Sequence, residues 1–287
     1  MKKWLKKLRP VFVIVWWSVI TIGLLISTVA AVNYQDHLPV KKFTIDIDKS
    51  NGIFFLNEED VNQILKDNNF ERLIGQGLQQ VDYHRLEQIM LHNPFVNQSQ
   101  IFVDANGNVS IHLTQRKPIL RVINNLGVSF YIDESGVKMP LNNNFTARVV
   151  VATGFISDDG QLNNTSDTAT INSLYQLATY INTDSILQAL IQQIYVDENK
   201  EFVLVPVIGN NHILFGKAED VQNKFDRLKI FYNNGWSKTG FADYSELNLK
   251  FKNELYAVKR GMIVEIPAND SSAIATDTTQ TIKPNNQ

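Results

Sequence analysis

The side chains best suited to metal or proton chemistry in this 287-residue chain are five histidines, His37, His84, His92, His112 and His212. None stands in an HExxH or comparable ligand spacing, so no metal site is expected. Cysteine is absent, which removes thiolate ligands, thiol nucleophiles, disulfides and redox relays. Gly75-Gln76-Gly77 is a fragment of a dinucleotide fingerprint. It lacks the third glycine and falls between two predicted helices, so it reads as a loop. Neither a Gly-Lys-Ser/Thr phosphate loop nor a Gly-x-Ser-x-Gly nucleophile elbow occurs. Carboxylates cluster at Glu58-Glu59-Asp60, where the first turn of a helix favours negative charge, and at Asp158-Asp159 in a Gly/Asn loop. Acids from distant positions could still converge for glycosidic cleavage, which keeps a cell-wall hydrolase as one alternative. The expectation is no cofactor, no small-molecule ligand and no catalysis. Asn97, Asn144 and Asn163 head Asn-x-Ser/Thr triplets that are acceptors only in a glycosylating host, and the abundance of asparagine accounts for them by chance.

The elements that position these residues begin with a charge asymmetry. Lys2, Lys3, Lys6, Lys7 and Arg9 precede every acidic residue, leaving 22 basic against 29 acidic residues in the remainder, a balance of −7. Such a surface offers little to a phosphate backbone, which argues against nucleic acid as a partner. Residues 1–10 read as a basic cytoplasmic N-terminus. The uncharged run from Val11 to Val32, about 22 residues and roughly 33 Å as a helix, is predicted to span a bilayer. A cleaved signal peptide is the alternative, with Ala30 and Ala31 near a cleavage position. The cations before the run place the N-terminus in the cytoplasm and everything from Asn33 outside. Trp4 sits where an interfacial anchor belongs, whereas Trp16 and Trp17 lie deeper.

From 40 to 116 the pattern predicts strand, helix, helix, strand, strand. Phe43, Ile45 and Ile47 alternate with Thr44, Asp46 and Asp48, the period of a half-buried strand. Asn57 caps a helix with Asp60 three positions on and Val61, Ile64 and Leu65 inward. Asp82 opens a second, with Leu86, Ile89 and Met90 inward and Asn93-Pro94 closing it. Two strands follow around Asn106-Gly107, a dipeptide suited to a tight hairpin, with Ile101 and Val103 on one strand and Val109, Ile111 and Leu113 on the other facing the core.

A second unit, 117–267, follows without a flexible linker. Strands are predicted at Ile119–Ile123, Val128–Asp133, Val149–Ala152, Ile191–Val196, Phe202–Val207, His212–Phe215 and about Leu247–Val258. Asp133-Glu134-Ser135-Gly136 reads as a turn, and Pro206 favours an edge or bulge because it cannot donate to a ladder. Ile171, Leu174, Tyr175, Ala178 and Ile181 recur at helical spacing, as do Val221, Phe225, Leu228 and Tyr232. Residues 268–287 are polar and low in large apolar groups, so a disordered tail is expected. The fold class is α+β.

In their order along the chain, Gln115-Arg116-Lys117-Pro118-Ile119, Tyr131-Ile132-Asp133-x-x-Gly136, Met139-Pro140-Leu141 and Leu247-x-Leu249-Lys250-Phe251-Lys252-Asn253 resemble the FtsQ/DivIB cell-division family, and its Bacteroidota-type members most closely. The resemblance covers nearly the whole chain apart from the tail, and its specificity lies in the order of the motifs. It implies a POTRA domain at 40–116 and the family's β domain after it. It implies a non-enzymatic divisome scaffold in the inner membrane at the division septum, with its C-terminal domains periplasmic. The implied partners are the single-pass proteins FtsB and FtsL, with FtsW/FtsI-like and FtsK-like proteins as further candidates, and the implied role is control of septal peptidoglycan synthesis. A POTRA-bearing anchor in protein export or outer-membrane assembly is the alternative, but repeated units or a barrel should then follow Leu113.

In that family the partner adds a strand to the edge formed by the last β-domain strand, which is recognition through the main chain. The resemblance carries this role onto Leu249, Lys250, Phe251, Lys252, Asn253 and Tyr256. On a single strand from Leu247 to Val258, alternation puts Leu247, Leu249, Phe251 and Asn253 on one face and Asn248, Lys250, Lys252 and Glu254 on the other. Family members often carry Asp-Leu/Met-Arg-Tyr where this chain has Asn248-Leu249-Lys250-Phe251. Lys250 keeps a cation without arginine's fork, and Phe251 lacks the phenolic hydroxyl. Lys250 and Lys252 serve equally well as guards of an edge against aggregation. Arg116 is expected to tie the two domains together, and Pro118 to stiffen their junction by fixing φ and extending Lys117. A POTRA edge could also recruit an extended segment, through the Phe43–Asp48 strand or the Val96–Val103 strand.

Overall fold

The computed structural model describes residues 16–28, 38–162, 167–235, 243–261 and 280–281. Residues 16–28 form helix α1, which exposes its large apolar side chains, Trp16 at 68% among them. Among the described residues no helix is long and apolar enough to cross a membrane. The rest of the span expected at 11–32, and Trp4 before it, lies outside the described residues. The chain divides into two compact units, Met1–Gln115 and Arg116–Gln287.

The first unit holds β1 (Lys42–Asp48), α2 (Glu58–Asp67), α3 (Tyr83–Leu91), β2 (Val96–Val103) and β3 (Asn108–Gln115). The strands lie in the order β1-β3-β2, with β1 parallel and β2 antiparallel to β3. Local chemistry sets both helix starts. The Asn57 side chain accepts from the Asp60 N–H at 2.8 Å while the Asp60 carboxylate accepts from the Asn57 N–H at 3.0 Å, a reciprocal capping box. Asp82 accepts from the Arg85 N–H at 2.9 Å. Gly75-Gln76-Gly77 lies between two short 3₁₀ turns, Phe70–Leu73 and Leu78–Gln80, so the loop reading holds. Val61, Leu65, Leu86, Met90, Ile111 and Leu113 are buried. The amide of Gln115 ties the β1–α2 connection to β3. Its Oε1 accepts from the Leu56 N–H at 3.0 Å, and its Nε2 donates to the Ile53 carbonyl at 2.9 Å.

The β2–β3 hairpin is wider than the two-residue turn that Asn106-Gly107 suggests. Asp104 Oδ1 accepts from the N–H groups of Asn106 and Asn108, at 2.8 and 2.9 Å, and only Gly107 takes positive φ, at +86°. A Cβ at Gly107 would stand 2.3 Å from the Pro39 carbonyl oxygen, so glycine is required there. The second unit repeats this turn at Asn124–Val128, Asp133–Val137 and Asp197–Glu201. In each, an Asn or Asp side chain accepts from the N–H groups two and four residues on.

The second unit contains β4 (Pro118–Ile123), β5 (Ser129–Asp133), β6 (Lys138–Met139), β7 (Val150–Gly154), α4 (Thr168–Thr183), α5 (Ser185–Leu190), β8 (Ile191–Val196), β9 (Phe202–Pro206), β10 (His212–Gly216), α6 (Val221–Gly235), β11 (Tyr244–Asn248), β12 (Tyr256–Lys259) and β13 (Gln280–Thr281). They build one ten-stranded sheet in the order β13-β12-β11-β10-β9-β8-β7-β4-β5-β6. Parallel pairs occur at β4–β7, β7–β8 and β10–β11. The last two are joined through helices, the usual crossover for a parallel pair. Ile171, Leu174, Leu177, Ala178 and Ile181 of α4 and Val221, Phe225, Leu228, Phe231 and Tyr232 of α6 join the buried cluster with the sheet. Phe225 packs at 5.1 Å on Tyr180 and 5.0 Å on Phe215. Each such fully buried side chain contributes about 1.5–3 kcal/mol.

One expectation is corrected and two are refined. Of the edge or bulge expected at Pro206, the bulge holds: β9 lies inside the sheet, and Pro206 ends it opposite Ile191, where the β8–β9 register shifts. A proline is tolerated there because the ladder is already irregular. Leu247–Val258 is not one strand, because residues 249–255 break it into β11 and β12, which pair antiparallel. Within the tail expected to be disordered, Gln280–Thr281 pair with Tyr256 and Ala257. The remainder of 268–287 lies outside the described residues.

Candidate functional site

The groups singled out for chemistry are dispersed. His112 Nδ1 lies 2.7 Å from Asp46 Oδ2 and His92 Nδ1 lies 3.0 Å from the Gln88 carbonyl. His37 lies outside the described residues. No group of metal-binding side chains occurs among the described residues. Glu58, Glu59 and Asp60 form the first turn of α2. Asp158 is fully buried, and its carboxylate accepts from Lys138 Nζ at 2.6 Å and from the Gly160 N–H at 2.9 Å. Lys138 also donates to the Gln161 carbonyl and lies 5.3 Å from the Phe130 ring centroid. This buried ion pair pins the 155–162 loop to β6.

The segment proposed for strand addition has a different anatomy from the one expected. β11 is paired on both sides, with β10 and with β12, so it offers no edge. Leu247 and Leu249 are both fully buried, and the Leu249 N–H donates to the Leu214 carbonyl at 2.9 Å. Alternation then stops. Phe251 is 55% exposed although it has the same parity as Leu249, Lys252 and Asn253 are exposed, and Leu255 returns to the core. Asn253 adopts φ +61°, the left-handed geometry that asparagine tolerates in a tight turn.

Arg227 of α6 sets the shape of this loop. Its Nη1 donates to the carbonyls of Phe251, at 2.9 Å, and Glu254, and its Nη2 donates to the Leu249 carbonyl at 3.3 Å. Nε is held by Asn223 Oδ1 at 2.8 Å, and the Asn223 amide reaches Asn253. Burial pushes the Arg227 pKa down. One turn away, Lys224 is buried and donates to the carbonyls of Phe215 and Lys217, at 2.9 and 2.8 Å, and burial lowers its pKa. Sequence reasoning missed both residues. Lys224 was discoverable, since it stands three residues from Val221 and four from Leu228, on the apolar stripe itself. Arg227 carried no such signal, because the carbonyls it binds come from another element.

The side chains expected to meet a partner therefore separate into two sets. Leu249, Asn253 and Lys250 serve the fold: the first two as above, and Lys250 through an ion pair with Glu201. Phe251, Lys252 and Tyr256 remain at the surface or half-exposed. Phe251 meets Tyr256 edge-on at 5.0 Å, and the Tyr256 hydroxyl donates to Glu254, which raises its pKa. Arg116 Nη1 donates to Asp133 Oδ2 at 2.8 Å and Lys117 pairs with Glu134 at 2.8 Å, all inside the second unit. Pro118 is the first residue of β4, opposite Asp133.

Main-chain geometry leaves the outer side of β12 only partly covered. The Arg260 N–H donates to the Asp243 carbonyl at 2.6 Å and so turns toward β11. At the strand's period of two, Ala257 and Lys259 present their N–H and C=O groups to the outer side. There β13 covers only Tyr256 and Ala257, and among the described residues Val258 and Lys259 have no outer partner strand.

Comparison with known families places both units. The second matches the family model FtsQ/DivIB, C-terminal related, over residues 117–257, and the first matches the POTRA-like domain over residues 40–114. No curated protein matches the chain. The β1-β3-β2 unit agrees with the expected POTRA-like domain, and a strand-rich domain ends in an edge strand behind it. With both matches in the order the motifs suggested, the two units together support an FtsQ/DivIB cell-division family protein.

Proposed function

We propose that this protein is a non-enzymatic divisome scaffold, anchored in the inner membrane by residues 11–32 with its N-terminus cytoplasmic and both folded units periplasmic. It docks an FtsB/FtsL-like single-pass partner by strand addition to β12 and so helps control septal peptidoglycan synthesis. The observation that carries this reading is the outer side of β12, where Lys259 turns an N–H and a C=O away from the sheet with only two residues of the strand covered. Phe251 and Tyr256 supply an aromatic pair beside that edge, and Lys252 a cation. Leu249, Lys250 and Asn253 support the loop and contribute indirectly.

The test is Lys259→Pro, which removes one outward donor from the edge without disturbing an N–H that faces β11. Binding of the FtsB-like protein from the same organism should weaken roughly tenfold, equivalent to about 1.4 kcal/mol. Lys259→Ala should keep its affinity. Unchanged binding by a Lys259→Pro variant with native circular dichroism would remove β12 as the docking strand.

A further inference from the structure

The edge just assigned to a partner is already part-occupied by the chain itself. Thr281 stands opposite Tyr256 and Gln280 opposite Ala257, in an antiparallel pair that makes β13 the outermost strand of the sheet. We propose that the C-terminal tail is a built-in competitor for the docking edge: β13 covers the start of β12 in the unbound protein, and an incoming partner strand displaces it. This rests on β12 being the docking strand.

Three features support the idea. A strand of two residues makes too few contacts to persist on its own, so its hold on β12 is weak enough to be exchanged. Eighteen residues separate Gly261 from Gln280, a tether that reaches up to roughly 60 Å when extended. A covalent link of this length raises the effective concentration of the tail at the edge, which sustains a contact that would vanish between separate molecules. The coverage is also incomplete in a useful direction. The outward groups of Lys259 remain open beside the covered pair, so a partner strand can start pairing there and advance over Ala257 and Tyr256 as the tail leaves. An exposed main-chain edge is an aggregation hazard, and a displaceable cover protects it until the partner arrives. If β13 is seated about four-fifths of the time, the partner's apparent affinity is reduced on the order of fivefold.

The experiment compares the full-length chain with a variant truncated after Gly261 and with Gln280→Pro, each checked for native circular dichroism. Hydrogen exchange of the unbound protein should show faster exchange across Tyr256–Lys259 in both variants, and the FtsB-like protein should bind each on the order of fivefold more tightly. Equal protection in all three proteins overturns the proposal, as does equal affinity. Protection that rises with protein concentration also overturns it, by assigning the covering strand to a second copy. Lys259→Pro in the truncated chain separates the two readings. If it weakens binding while truncation changes nothing, the docking edge stands and the tail's role fails. If it leaves binding unchanged, the docking edge fails and the competitor role with it.

Discussion

Arg227 shows how one side chain can define a surface loop. Its fork reaches three carbonyls, those of Leu249, Phe251 and Glu254, between the last two strands of the β domain proper. Hydrogen bonds from a charged donor contribute about 1.5–3 kcal/mol each, and carbonyls that can turn to water recover part of that when the donor is lost. Arg227→Met is therefore expected to lower stability by about 2 kcal/mol in urea denaturation. Arg227→Lys should restore less than half of the loss, because a point charge cannot satisfy three carbonyls held in the plane of a guanidinium. A methionine variant as stable as the parent would show that the loop holds its shape without the fork.

At the scale of elements, the joint between α4 and α5 is set by Asp184. Its side chain caps α5 by accepting from the N–H groups of Ile186 and Leu187, at 2.9 and 3.2 Å, and it pairs with Lys229 of α6 at 2.9 Å. The hydrogen bond from Lys229, followed by the two backbone donors, holds the Asp184 carboxyl below its ordinary 3.8. A carboxyl with a lowered folded-state pKa stabilises the protein fully above its unfolded value and loses that contribution as pH falls through the folded one. Asp184→Asn keeps a good cap and removes the charge. The stability difference between parent and variant should thus be constant above about pH 5 and shrink below about pH 4. Partial exposure of the pair limits its size to about 1 kcal/mol. Acid titration of the unfolding free energy measures this, and a pH-independent difference would assign Asp184 to capping alone.

At the scale of the whole molecule, the proposed anchor sets where everything else operates: with residues 11–32 spanning the bilayer, the cations before them hold the N-terminus in the cytoplasm and the folded units lie outside. The full chain is expected to stay in the membrane pellet through alkaline carbonate extraction, whereas a variant lacking residues 1–32 should appear in the soluble fraction with native circular dichroism. Release of the full chain by carbonate would contradict the anchor and leave the periplasmic placement without support.

Much was legible in the sequence because it depends on neighbours along the chain. The capping box at Asn57, the helix start at Asp82, the turn at Asp133 and the inward stripe of α6 all follow from residues within about a turn of each other, where backbone donors and side-chain acceptors meet regardless of the wider fold. The exclusion of thiol chemistry and the order of strands and helices were also available there. What needed the tertiary structure was pairing. Alternation from Leu247 to Leu249 continued in apparent register through Phe251, yet Arg227, reaching from α6, gathers the carbonyls of 249–254 into a loop and splits the segment in two. Tertiary structure also decided that Pro206 ends an interior strand, that Asp158 is buried against Lys138, and that the outer side of β12 is only partly covered. A sequence records which faces of a strand are apolar, but hydrogen bonding at a strand's edge belongs to the backbone, which is the same for every residue except proline. Only the arrangement of strands in space determines which edges remain unpaired.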